Sequence, residues 1–249
     1  MVTAISAHRG GSERGPEGTY EAYRSALATG AEYVEFDIRR TADGTLVSCH
    51  PARVARQDVA AVSYDRLCRL AGYQVPRMTK VLPMLAGRAA AHLDLKQADS
   101  ADEIIRMAAG ILGPADLLVT TRDSPLAATL GRRFPAVPIG VTIGGDVAQA
   151  TGFALRWLRT PGLSRLDPVL SSGSGWAVVN RRLARNGLLA ECHKRGLKTA
   201  VWTVNAEREM ARWLASPQVD VLITDRPAHA TALRARHGTG LPGSSAPER

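Results

Sequence analysis

Residues 33–50 read YVEFDIRRTADGTLVSCH, and the way this stretch folds decides the rest of the chain. Val34, Phe36 and Ile38 alternate with Glu35 and Asp37, which is the two-residue period of a β-strand, apolar on one face and acidic on the other. Only Thr41-Ala42-Asp43-Gly44 separates this run from a second one at 45–50. Asp-Gly is a hairpin signal, whereas a parallel partner would need a crossover of a dozen or more residues. Residues 45–50 are therefore expected to form an antiparallel excursion inserted after a strand at 33–38.

Outward from this pair, seven more short apolar or β-branched runs occur at 3–8, 90–95, 117–121, 139–143, 177–180, 199–203 and 219–224. Helical patterns fill the intervals, and such alternation signals a parallel sheet with crossover helices. Eight such strands in 249 residues match an α/β fold, the (β/α)8 TIM barrel, with a small antiparallel hairpin inserted after strand 2. Helix punctuation is consistent with it. Thr19 is placed to cap a helix ending at Gly30, and Ser100 with Glu103 has the spacing of a capping box. Asn180 and Gly196 bracket a further helix as its start and stop residues. Residues 1–237 are expected to form one domain, and 238–249 (GTGLPGSSAPER) a disordered tail with almost nothing to bury.

Composition narrows the function classes. Hydrophobic residues make up 45% and charged residues 22%, an ordinary soluble balance. No apolar run is long enough to span a membrane, and the N-terminus lacks the pattern of a signal peptide. Cys49, Cys68 and Cys192 have neither disulfide-framework nor metal-site spacing. Together these features point to the cytoplasm. The net charge is +9, and residues 176–249 carry 12 Lys/Arg against 6 Asp/Glu. With few aromatics among them, these arginines read as a solvated basic face that attracts anionic substrates rather than as a specific nucleic-acid site.

Four polar clusters fall at strand C-terminal ends, where barrel enzymes build their sites: His8-Arg9-Gly10, Glu35-Phe36-Asp37, Asp94-Leu95-Lys96 and Trp202-Thr203-Val204-Asn205. Glu35 and Asp37 point to one face, roughly 6.5–7 Å apart along the backbone. Inside a barrel that face is the lumen, where two carboxylates repel unless a cation or a proton lies between them. Asp94, on the next strand, supplies a third oxygen ligand. An all-carboxylate set suits Mg²⁺ or Ca²⁺ better than zinc. The competing reading is a solvent-facing strand edge paired with Arg39 and Arg40. His8 and His50 fit the base and the acid that phosphodiester cleavage requires, and Arg9 and Lys96 offer positive charge for phosphoryl oxygens. His92 reads as a satisfied core histidine, while His193, His229 and His237 read as surface residues. Arg122-Asp123 and the run at 171–175 either line the mouth or are solvated loop.

The segments AHRG (7–10), PEGTYEAYRSALATGAEYVEFDIRRTADGTLVSCH (16–50), LLAECHKRGLKTAVWTVN (188–205) and VDVLITDRP (219–227) resemble the opening and closing signatures of the glycerophosphodiester phosphodiesterases. The resemblance implies a PI-phospholipase C-like barrel hydrolase acting on a small phosphodiester. It implies His8 and His50 as the general acid/base pair, with Glu35, Asp37 and Asp94 as ligands of a divalent metal. Arg9 and Lys96 would hold phosphate, and Trp202 would line the alcohol pocket. It further implies a cyclic phosphate that water then opens. Three positions depart from the usual pattern: Gly18 stands where the family has Asn, Pro51 where it has Asp, and Asp94 where Glu is common. The last is similar to the sphingomyelinase D-type phospholipases. A lyase releasing the cyclic phosphate is therefore the alternative activity, and a silent barrel binding an anionic ligand the alternative class. The sequence does not give the oligomeric state.

Overall fold

The computed structural model describes residues 2–144 and 166–238. Eight parallel strands close on themselves: β1 (Ala4–Ala7), β2 (Tyr33–Arg40), β6 (Ala90–Leu95), β7 (Leu117–Thr121), β8 (Ile139–Ile143), β9 (Trp176–Asn180), β10 (Lys198–Trp202) and β11 (Val221–Thr224). Each pairs with the next, and β1 pairs with both β2 and β11, which leaves no open edge. This is the expected TIM barrel, with every expected strand in place.

The hairpin after β2 is also present. β3 (Leu46–Ser48) runs antiparallel to β2, pairing Ile38 with Ser48 and Arg40 with Leu46. Gly44 takes φ +82 in the turn, and Asp43 pins that turn by accepting from Thr41 Oγ1 and from the backbone N–H of Tyr64. A second small ribbon follows, β4 (Arg53–Val54) against β5 (Gln57–Asp58). The sequence did not announce it, because its turn is made by Ala55 and Arg56 at positive φ rather than by Gly or Asn. Val47, Cys49, Val59, Tyr64, Leu67 and Val75 give the inserted segment a small core of its own.

Alternation along the strands divides the buried side chains in two. Ile5, Val34, Phe36, Leu93, Val119 and Leu222 face the helices in the main core. Leu118, Trp176, Val178, Ala200, Val221 and Ile223 fill the lumen below the mouth. The lumen is thus packed mainly by apolar side chains, with Ser6 and His92 among them, and the charged residues collect above it.

Helix boundaries follow the punctuation in part. Thr19 caps the helix Tyr20–Ala26, which stops before Gly30, and Asn180 accepts from Arg182 N. Ser100 precedes the helix Ala101–Leu112, but its hydroxyl makes no cap bond and is buried without a partner. Glu103 turns outward instead, to Arg40. The expected helix over 181–195 is broken by a π-turn at Ala184–Leu188, although it does stop at Gly196. Gly238 ends the helix Pro227–Gly238, and the rest of the expected tail lies outside the described residues.

Candidate active site

The site starts with a bend. After β1 the chain turns so sharply that Arg9 takes φ 49 and ψ 32, a left-handed conformation that costs a non-glycine residue about 1 kcal/mol. Gly10 follows at φ +80, where a Cβ would sit 2.8 Å from the Ala22 carbonyl carbon and 2.9 Å from Tyr23 Cδ1. Only glycine fits there. The bend aims the Arg9 N–H at Glu35 Oε2, 2.8 Å away.

Glu35 and Asp37 are buried in the lumen, not at a solvent-facing edge, and Asp37 is the register partner of Asp94. One ligand oxygen from each of the three carboxylates lies within 4.8 Å of the others. Burial, and then the neighbouring charge of Asp37, push the Glu35 carboxyl up to about 7. Asp37 goes the other way. Burial opposes ionisation, but the hydrogen bond from His50 and the charges of Lys96 and Arg9 hold it well below the usual carboxylate range. Three close oxygen donors, one of them pushed up by burial and by its acidic neighbours, form a hard-donor set that fits a divalent cation.

The cations are deployed around this set. Lys96 Nζ lies 2.7 Å from Asp37 Oδ1 and also contacts Asp94. Arg9 Nη1 donates to Glu17 at 2.5 Å, while its Nε stands 2.9 Å from Asp37 Oδ2 without hydrogen-bond geometry. Asp94 also accepts from Thr120 Oγ1 at 3.0 Å.

The two histidines reach the site from different supports. His8 Nδ1 lies 2.5 Å from Asp225 Oδ1. Burial would lower the His8 pKa, but the Asp225 bond and the charge of Glu35 outweigh it, and the net shift is upward. His50 follows the inserted hairpin and places Nδ1 3.0 Å from Asp37 Oδ2. Pro51 therefore does not leave His50 without a carboxylate, because Asp37 supplies one from β2.

All eight residues singled out in the sequence line one pocket: His8, Arg9, Glu35, Asp37, His50, Asp94, Lys96 and Trp202. Trp202 is steadied by donating Nε1 to Val178 O. His92 lies lower in the lumen, bonded to Ser6 and Thr120, and burial first of all lowers it to about 3. The run at 171–175 precedes β9 and so lies at the end of the barrel away from the mouth, where the Ser172 and Ser174 hydroxyls bond each other. His193 and His229 are partly exposed beside Asp220 and Glu207, while the His237 side chain lies outside the described residues.

Asp225 is the residue that sequence reasoning missed. It follows the last strand, and its bond to His8 exists only because β11 closes onto β1. Asn205 fixes it on the other side through Nδ2, at 2.5 Å. The signal available was an Asp just past a strand end, within a segment already noted for its resemblance.

The chain is similar to known proteins over most of its length. The glycerophosphoryl diester phosphodiesterase family matches residues 8–80 and 78–229. A glycerophosphodiester phosphodiesterase of Caldanaerobacter subterraneus is 23% identical over 251 residues, covering 91% of this chain and 96% of its own. The crystal structure of a glycerophosphodiester phosphodiesterase from Thermotoga maritima superposes with a TM-score of 0.73 at 20% identity, covering 94% and 99%. An Oleispira antarctica phosphodiesterase in complex with its product sn-glycerol-3-phosphate gives 0.71 at 17% identity, covering 93% and 96%. The chain belongs to the glycerophosphoryl diester phosphodiesterase family and, with it, to the phosphoric diester hydrolases.

Proposed function

We propose that this chain hydrolyses glycerophosphodiesters or related diesters of a small alcohol, with Mg²⁺ or Ca²⁺ held by Glu35, Asp37 and Asp94. The reading is carried by one observation: these three carboxylates and both histidines line a single pocket at the barrel mouth. A bound cation would polarise the phosphoryl oxygen and lower the pKa of the attacking hydroxyl.

The chain's own residues do the rest. One histidine takes the proton of the attacking hydroxyl, and the other gives a proton to the departing alkoxide. Asp225 holds His8 by Nδ1, and Asp37 holds His50 by Nδ1, so each ring presents Nε2 to the reacting groups. Arg9 and Lys96 offset the charge on the non-bridging oxygens, and Trp202 bounds the alcohol. The order of events is attack by a neighbouring hydroxyl, a cyclic phosphate, then its opening by water.

The same reading takes residues 1–237 as one catalytic domain, cytoplasmic and engaged in lipid breakdown. No described helix is long and apolar enough to cross a membrane. The test is turnover of a phosphodiester panel with Mg²⁺, Ca²⁺ or chelator, following products by phosphorus NMR. Metal-dependent release of a phosphomonoester is expected. A persistent cyclic phosphate would mark a lyase, and absence of turnover a silent barrel.

A further inference from the structure

Three neighbouring strands carry a cation two residues beyond one polar row of the site. Asp37, Asp94 and Thr120 are register partners across β2, β6 and β7. Two residues further along each strand come Arg39, Lys96 and Arg122. Two of these cations are already engaged. Lys96 folds back onto Asp37 and Asp94, and Arg39 donates Nε and Nη2 to His50 O at 3.2 and 3.0 Å. Arg122 is exposed and has no hydrogen bond or ion pair among the described residues.

Its position matters more than its exposure. Arg122 lines the catalytic pocket together with His8, Glu35 and Trp202. It also lines a trough of about 520 Å³ that opens beside His50 and Lys96 and runs past Arg39 and Gln97. The lining of the trough sets Arg39, Lys96 and Arg122 against two acids, Asp94, which is paired with Lys96, and Asp123, whose Oδ1 accepts from Leu126 N. The trough is thus a concave, net-positive space that begins where the phosphoryl group would sit. The Arg122 guanidinium, without a partner among the described residues, is the kind of donor that grips a carboxylate in bidentate fashion.

Resting on the phosphodiesterase reading, we infer that Arg122, backed by Arg39, binds a carboxylate carried by one alcohol of the diester. The enzyme thereby selects diesters with an anionic alcohol over those bearing a cationic head group. A quaternary ammonium in the same trough would face Arg39 and Arg122 with like charge. A neutral alcohol would leave the Arg122 guanidinium to water.

The experiment compares the glycerol 3-phosphate diesters of 3-hydroxypropanoate, glycerol and choline on wild type, Arg122→Gln and Arg122→Lys. Wild type is expected to favour the carboxylate diester over the choline diester in kcat/KM. Arg122→Gln should shrink that preference by on the order of tenfold, and Arg122→Lys by less, because the charge remains but the fork is gone. A preference for the choline diester, or one that Arg122→Gln leaves unchanged, overturns the inference alone. Failure to cleave all three diesters and bis(4-nitrophenyl) phosphate, with either metal, overturns the phosphodiesterase reading and this inference with it.

Discussion

Asp225 Oδ1 lies 2.5 Å from His8 Nδ1 across a sequence separation of 217 residues, joining the last barrel strand to the first. The bond fixes which ring nitrogen of His8 is free for chemistry. Asp225→Asn is expected to lower kcat by about 10–100-fold, the range for removing the partner that orients a site histidine. The Asp225 bond raises the His8 pKa, so the kcat/KM limb that reports His8 should move to lower pH in the variant. A profile that falls in height without shifting would assign Asp225 a merely structural role.

The same pair carries a stability signature. His8 is raised, so its contribution is fully present below its unfolded pKa, near 6.5, and is lost as pH climbs through the higher folded value. Asp225 is lowered, so its contribution is present above about pH 4 and is lost as pH falls through the folded value. The melting-temperature gap between wild type and Asp225→Asn should therefore be widest between about pH 4 and 6.5. A gap that widens steadily above pH 8 would contradict this assignment.

Glu35 has the opposite sign for an acid. Its carboxyl is pushed up to about 7, so ionising it costs stability over the interval from its unfolded value to about 7. In chelator at pH 8, Glu35→Gln should be more stable than wild type by about 3 kcal/mol, and at pH 4 the two should converge. Adding Mg²⁺ or Ca²⁺ should stabilise wild type and close or reverse the gap. Urea titrations at the two pH values decide it. A Glu35→Gln protein less stable than wild type in chelator at pH 8 would remove the charge-repulsion argument for the metal site.

The two histidines should separate by leaving group. His8→Ala and His50→Ala are each expected to lose about 10²–10⁴-fold on an alkyl diester. A nitrophenolate needs little protonation as it departs, so the variant lacking the acid should recover on that substrate and the variant lacking the base should not. Equal losses on every substrate would dissolve the division of roles. Because Asp37 already holds His50, Pro51→Asp should change kcat/KM little.

Ser100→Ala tests a smaller point. An N-cap serine normally contributes about 1 kcal/mol, but the Ser100 hydroxyl is buried without a partner. The substitution is expected to be neutral or to stabilise slightly, as chemical denaturation can show. A loss of about 1 kcal/mol would restore the cap.

What could be read from the sequence follows the range of the forces involved. Strand positions and the β2–β3 hairpin depend on alternation and on Asp43-Gly44, which are local signals. The carboxylate face of Glu35 and Asp37 follows from strand parity once a barrel is assumed. The partnership of Asp225 with His8 required knowing that β11 closes onto β1, a relation no local window contains. The β4–β5 ribbon turned through Ala55 and Arg56, residues that give no warning of positive φ. Ser100 had cap spacing, but its φ of −111 and ψ of 5 do not direct the hydroxyl at the first turn. Arg122 was visible only as a charged residue after a strand, because its significance lies in what neighbouring strands do with their own cations.

His50 belongs to the inserted segment and not to the barrel wall. That segment has a small core of its own and hangs on one strand of the barrel, β2, through the β2–β3 ladder and Cys49 N to Asp37 O at 2.9 Å, with Tyr23 Oη to Ser48 Oγ at 2.5 Å as a further tie. His8, by contrast, is rooted in a closed ring of strands. The two proton-transfer groups are therefore mounted on supports of unequal stiffness, and warming should loosen the weaker one first. Activity would then fade at temperatures where the barrel is still intact. Substitutions that tighten the Val47–Val59–Leu67 packing would extend the working range without touching a single reacting group.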